Sequence, residues 1–219
     1  MKIGIIGAGS MGGTLARRCT ALGHDVSVAN SRGPESLAEL AAETGAVPVP
    51  ITEAARDAAV MIVAIPEKNV PDLPQGILDS LPDDAVVIDT GNYVPQQRDG
   101  RIEELENGVT ESRWVEAHLG HPVIKAFNTV RPSSLLSLGK PAGTPGRVAL
   151  PVAGDDASAK AVVIELMDQL GFDGIDAGGL GESWRQQPGT PVYVADLDSG
   201  AAHTALAAAS LERPAEWRA

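Results

Sequence analysis

Cysteine is almost missing from this chain. The one present among 219 residues, Cys19, excludes a disulfide framework and gives no sign of an oxidising compartment. Aromatic residues make up only 3%, too few for the ring platforms on which single-stranded nucleic acids stack. Basic residues are also scarce: 17 Lys and Arg against 29 Asp and Glu leave a net charge of −12, which opposes polyanions and anionic membrane surfaces. No apolar run reaches the ~20 residues that cross a bilayer. The opening IGIIGAG is too short and too glycine-rich for a signal-peptide core. The expectation is a soluble, cytoplasmic protein that binds neither nucleic acid nor membrane and works on a small molecule.

What is present belongs to an ordinary globular chain, 43% hydrophobic and 21% charged, long enough for one sizeable core. Apolar runs of strand length recur near 2–7, 25–29, 46–49, 59–65, 85–89, 122–127, 147–153 and 172–176, with helical patterns between them. Buried runs alternating with amphipathic segments predict an α/β fold, a doubly wound, mostly parallel sheet with helices on both faces. The clearest helix follows AGDD, where Asp155 or Asp156 can cap a segment carrying Val162, Val163, Leu166, Met167 and Leu170 on one face, with Gly171 as its stop. Another opens at Pro34 and carries Leu37, Leu40 and Ala41. Pro- and Gly-rich loops fall at 71–76, 95–100, 138–146 and 186–191. We divide the chain into a nucleotide-binding domain, 1–177, and a small C-terminal extension, 178–219, that serves the substrate side or oligomerisation.

Gly7, Gly9 and Gly12 form G-x-G-x-x-G directly after an apolar strand and ahead of a helix that starts near Ser10 or Met11. In that context the three glycines allow a tight turn, close approach of backbone to a pyrophosphate, and close helix-on-strand packing. The anion then sits on the free N–H groups of the helix N-terminus. About 20 residues on, the second strand ends in Asn30, Ser31 and Arg32 rather than in Asp or Glu. A carboxylate there would accept from the adenine ribose and repel a 2′-phosphate. Asn30 removes that repulsion, Ser31 can donate, and Arg32 offers a planar fork for a phosphate. NSRG therefore reads as a 2′-phosphate pocket, and the cofactor as NADP(H).

These stretches, together with VAIP (63–66), VVIDTGNY (86–93), VIKAFNTV (123–130), LPVAGDD (150–156) and DAGGLGESWR (176–185), resemble the F420:NADP oxidoreductases, the NADPH-dependent reductases of the deazaflavin coenzyme F420. Their Rossmann domain is similar to that of pyrroline-5-carboxylate reductases and STEAP reductases. The likeness runs from residue 1 to about 193 and does not extend through the end of the chain. It implies that Gly9, Ser10 and Met11 contact the pyrophosphate and that Asn30, Ser31 and Arg32 contact the 2′-phosphate. It also implies that Ile65 and Pro66 line the nicotinamide side, with Asn92, Ala126, Phe127 and Asn128 nearby. By analogy with relatives, the C-terminal segment forms a homodimer contact.

The acid–base inventory is thin, which suits hydride transfer between stacked rings. Lys125, near the carboxyl end of PVIKAF, is either a proton donor or anion anchor, or a lysine snorkelling to water. Tyr93 and Tyr193 read as packing tyrosines. His118 and His121 are separated by a glycine and followed by a proline, without a cysteine nearby, and we expect no metal. In ESWRQQ, Trp184 can stack on a ring and Arg185 can hold an anion, making them the substrate-side candidates. The leading reading is hydride transfer between NADPH and a deazaflavin or flavin-like acceptor. The alternatives are a reductase of a small imine or carbonyl, and a non-catalytic NADPH redox sensor.

Overall fold

The computed structural model describes all residues, Met1–Ala219. Six parallel strands form the main sheet: β1 (Lys2–Ile6), β2 (Asp25–Ala29), β3 (Val47–Pro48), β4 (Val60–Val63), β5 (Val86–Asp89) and β6 (Ile124–Lys125), in the order β3-β2-β1-β4-β5-β6. A second parallel pair, β7 (Ala149–Val152) and β8 (Asp173–Asp176), joins β6 through an antiparallel bridge between Lys125 and Ala153. This is the mostly parallel Rossmann-type sheet the apolar runs predict, reversing order at β1, where ligands collect beyond the strand ends.

Side-chain alternation divides the core in two. Ile3, Ile5, Val60, Ile62, Val86 and Ile88 point to one face, and Ile6, Met61, Val63 and Val87 to the other. The first face is covered by α1 (Ser10–Ala21), α2 (Ala38–Thr44), α5 (Pro132–Ser137) and α6 (Ala157–Leu170). Asp156 caps α6 by accepting the N–H groups of Ser158 and Ala159 at 2.7 and 3.1 Å, and Gly171 ends it at φ 95°. Asp155 instead accepts the Leu180 N–H at 2.9 Å and pairs with Arg113.

The other face departs from the expected regular helices. Between β3 and β5 the chain runs through short 3-10 turns, and Pro66, Pro71, Pro74 and Pro82 interrupt any helix after β4. Helical cover there comes later, from α3 (Glu103–Glu106) and α4 (Glu111–Leu119), whose Leu105, Trp114 and Val115 pack with Val70 and Tyr93. The helix expected at Pro34 starts as a 3-10 turn, Pro34–Leu37, before α2. Two strands keep only two residues of their apolar runs: Pro48 has no N–H to extend edge strand β3, and Phe127 turns left-handed, φ 62°, just beyond β6.

The C-terminal segment packs on the sheet. Helix α7 (Ser199–Ala207), capped by Asp198, buries Ala202, Ala205 and Leu206 against Ala149, Ile175 and Val192. Residues 213–219 then fold back: Arg213 reaches Glu111 at 3.0 Å and the Ala219 N–H reaches Glu106 at 3.0 Å. No helix is long and apolar enough to cross a membrane.

The β1–α1 junction depends on two glycines. Gly7 has φ 100°, and a Cβ at Gly12 would lie 1.8 Å from the Gly7 carbonyl oxygen. Gly12→Ala must push α1 off β1, and we expect a loss of about 1–3 kcal/mol in urea unfolding, together with weaker dinucleotide binding. Unchanged stability would show that α1 is not held at this contact.

Candidate functional site

Two adjoining cavities, of about 450 and 390 Å³, open at the carboxyl ends of the central strands and share Gly9, Ala64, Ile65 and Pro66 as a common floor. The N-terminus of α1 lies at their junction. It has no side-chain cap and no acid in its first turn, so its leading N–H groups are free to meet an anion. A Cβ at Gly9 would meet no protein atom within 4 Å. The glycine thus keeps open the cradle that a pyrophosphate requires, and the residues fit a dinucleotide.

The smaller cavity is lined by Gly7, Asn30 and Ser31, with Ile51, Asn69, Asp72 and Leu73 opposite. The Asn30 side-chain oxygen accepts the Arg32 N–H at 2.9 Å, and its amide donates to Ser36 Oγ at 2.9 Å. These bonds fix the turn and leave Arg32 exposed at its tip. Arg32 does not line the cavity itself.

The larger cavity brings Ser10, Met11, Ile65, Pro66, Asn92 and Asn128 together with Thr90, Gly91, Arg98, Arg131, Tyr193 and Val194. Asn128 donates to Asn92 Oδ1 at 3.1 Å and to the Gln186 carbonyl at 2.7 Å, and receives Gln186 Nε2 at 2.9 Å. Phe127, held left-handed, turns the chain so that Asn128 follows it to the cavity wall. A non-glycine residue in that conformation costs about 1–2 kcal/mol, against which Phe127 is fully buried.

Beneath the wall lies a buried ionic cluster. Lys125 Nζ donates to Asp89 at 3.0 Å and to the Gly91 carbonyl at 2.7 Å, with Glu111 at 3.7 Å. Asp89 in turn accepts the Gly91 N–H at 2.8 Å and Ser112 Oγ at 2.7 Å. Burial alone would lower the Lys125 pKa, but Asp89, Glu111 and Glu67 outweigh it and hold the ammonium above its usual value. Glu67 is fully buried with neither carboxyl oxygen hydrogen-bonded. Burial, then the charge of Asp89, raises its pKa well above the usual carboxylate value.

Several expectations are corrected. Ala126 and Phe127 are core residues, fully buried away from the cavity. Lys125 neither snorkels to water nor lines the cavity. Trp184 and Arg185 sit in a 3-10 turn, Leu180–Gln186, where the Arg185 guanidinium lies 4.3 Å from the Trp184 ring and bonds Glu182 at 2.7 Å. Trp184 lines a separate cavity of about 380 Å³. The pair satisfies itself instead of facing the cleft.

Among the cavity residues that sequence reasoning missed are Arg98, Arg131 and Val194, and it undervalued Tyr193. Arg98 stands in the PQQRDG loop after β5 and Arg131 in the loop after β6, so loop position at a strand's carboxyl end was the available signal. Tyr93 is a packing residue whose hydroxyl accepts the Ile102 N–H at 2.9 Å, with burial pushing its pKa up to about 12. Tyr193 is different. It lines the cavity and its hydroxyl has no partner within the protein; burial, then Glu111, raises its pKa and keeps the phenol neutral.

Comparison with known proteins bears on family and fold. Residues 2–93 match the family described as NADP oxidoreductase, coenzyme F420-dependent. The crystal structure of hypothetical protein SMa0349 from Sinorhizobium meliloti is 31% identical, with a TM-score of 0.76 over 90% of this chain and 95% of that one. The likeness to the F420-dependent NADP oxidoreductase family lies in those first 93 residues, which carry β1 to β5. The fold also matches an Arthrobacter sp. FB24 structure named for F420-dependent NADP reduction, at TM-score 0.64 and 24% identity over 82% of this chain and 85% of that one. The Escherichia coli K12 protein YjhV is 44% identical over 79 residues, 36% of this chain and 56% of YjhV. The chain therefore spans little more than half the length of that relative.

The raised pKa of Glu67 has a measurable consequence. Its folded pKa is raised, so its contribution to stability is complete below the unfolded value of about 4.3 and is lost as pH rises towards the folded one. The slope is at most about 1.4 kcal/mol per pH unit. Glu67→Gln does not titrate, so its stability relative to the wild type should grow between pH 5 and pH 8 in urea unfolding. A difference independent of pH would mean that Glu67 is charged in the folded protein.

Proposed function

We propose that the protein is an NADP(H)-dependent oxidoreductase that passes hydride between NADPH and a ring acceptor of the deazaflavin or flavin type. The carrying observation is the pair of cavities on one floor: the smaller accommodates the adenosine end beside NSRG, and the larger extends past Ile65 and Pro66 with room for a second ring. Bound cofactor supplies the hydride chemistry, and the chain binds, orients and excludes water. The α1 N-terminus holds the pyrophosphate, and Ile65 and Pro66 support the nicotinamide. The Asn92–Asn128–Gln186 network stiffens the wall facing it.

Free donors at the turn after β2 support NADP(H) rather than NAD(H). Arg32→Ala removes one charge-assisted contact worth about 1.5–3 kcal/mol, so NADPH affinity should fall about 10- to 100-fold in a fluorescence titration while NADH affinity stays within about twofold. Equal weakening of both would remove Arg32 from the 2′-phosphate site.

One observation favours the second reading, reduction of a small imine or carbonyl: Tyr193 is a neutral, unpaired hydroxyl in the cavity. The two readings separate in anaerobic mixing of the protein and NADPH with oxidised coenzyme F420, FMN or riboflavin, following both chromophores. Catalytic exchange with a ring acceptor is the expected result. Tyr193→Phe should then lower turnover less than about tenfold, whereas a proton donor to an imine or carbonyl would cost about 10²–10⁴-fold. Absence of exchange with every ring acceptor, despite tight NADPH binding, would overturn the proposal.

A further inference from the structure

Acidic residues outnumber basic ones 29 to 17 in this chain, yet the wall of the larger cavity contains two arginines and no Asp or Glu. Arg98 comes from the turn Pro95–Asp99 after β5, and Arg131 from the residue preceding α5. Each is held by part of its guanidinium. Arg98 Nε and Nη2 bond Asp99, at 3.1 and 2.8 Å, and Nη2 also meets the Asn92 carbonyl, which leaves Nη1 without a partner. Arg131 Nη1 donates to the Val194 carbonyl at 2.7 Å. Its nearest carboxylate, Asp196, is 3.9 Å away and takes the Ser134 hydroxyl at 2.7 Å, so Arg131 Nε and Nη2 are free. The anchored halves fix direction, and the free halves remain available as donors.

The dinucleotide does not account for both guanidiniums. Its pyrophosphate has the N-terminus of α1, and its 2′-phosphate has the turn at Asn30–Arg32. The nicotinamide nucleoside brings no further negative charge, and its oxidised ring is a cation that guanidiniums repel. We infer that Arg98 and Arg131 select the acceptor by an oxyanion, a phosphate or carboxylate carried beside its reducible ring, with Arg131 as the principal contact because its charge is the less neutralised. The inference rests on the proposal that the larger cavity takes the acceptor, and it adds a requirement for acidity in that acceptor.

Riboflavin and FMN share one ring system and differ by a phosphate, so they test the point by equilibrium binding without turnover. The full chain is saturated with NADP⁺ and titrated with each flavin, following flavin fluorescence, for the wild type, Arg131→Gln and Arg98→Gln. The wild type should bind FMN at least about tenfold more tightly than riboflavin, as expected for one charge-assisted pair. Arg131→Gln should bring that ratio to within about twofold of unity, with riboflavin affinity, NADP⁺ affinity and thermal midpoint unchanged. Arg98→Gln should reduce the ratio less. Equal binding of the two flavins by the wild type, binding of neither, or a loss in Arg131→Gln that falls on NADP⁺ instead of FMN would each overturn the inference. Failure of the hydride reading is distinguishable from these outcomes: FMN preference with no transfer from NADPH keeps the anion site and removes the reaction.

Discussion

The cleft depends on the grip of two buried charges on one residue, Gly91. Lys125 holds the Gly91 carbonyl and Asp89 holds the Gly91 N–H, and the two side chains bond each other. A pair this deeply buried gains little stability on balance, because desolvation offsets most of the attraction. Its effect is directional. Gly91 cannot move without breaking a charge-assisted bond in a low-dielectric setting, so Thr90 and Asn92 on either side are fixed as cavity wall. The same cluster reaches the far end of the chain, since Glu111 takes Arg213, and Arg213 also meets Gln187 beside the Asn128 network.

The wall is therefore assembled from distant parts of the chain. The floor comes from the first 66 residues, the inner wall from the loop after β5 and the turn beyond β6, and the outer wall from Tyr193 and Val194. Trp217 meets the Tyr193 ring edge-on, 5.7 Å between centroids, so the folded-back tail backs the outer wall. The C-terminal segment contributes to the site by completing a surface that the nucleotide-binding sheet leaves open.

The strands were legible because each is an apolar run between turn residues, and all eight occur where those runs lie. The glycine turn was legible because Gly7 and Gly12 are required by backbone geometry, and Asn30 and Ser31 because a strand's carboxyl end opens on a cavity. Legibility ended where tertiary geometry decided. Phe127 inverts the backbone, so alternation along VIKAFNTV does not say that Ala126 is core while Asn128 is wall. Lys125 in an apolar strand carries no sign that three acids from other segments surround it. Trp184 and Arg185 have the right chemistry for a ring and an anion, but one turn of 3-10 helix brings them onto each other. Arg98 and Arg131 look like ordinary loop arginines until two separate loops place them on one cavity.

The absence of carboxylates from that cavity bears on the kinetics of encounter as well as on affinity. Over most of its surface a molecule carrying −12 repels an approaching anion. With a Debye length of about 8 Å at physiological ionic strength, each repulsive patch is felt only locally, and so is the attraction of the cleft. The charge pattern thus acts as a local filter on dwell time: an anion that strikes elsewhere leaves, and one that reaches the mouth stays long enough to orient.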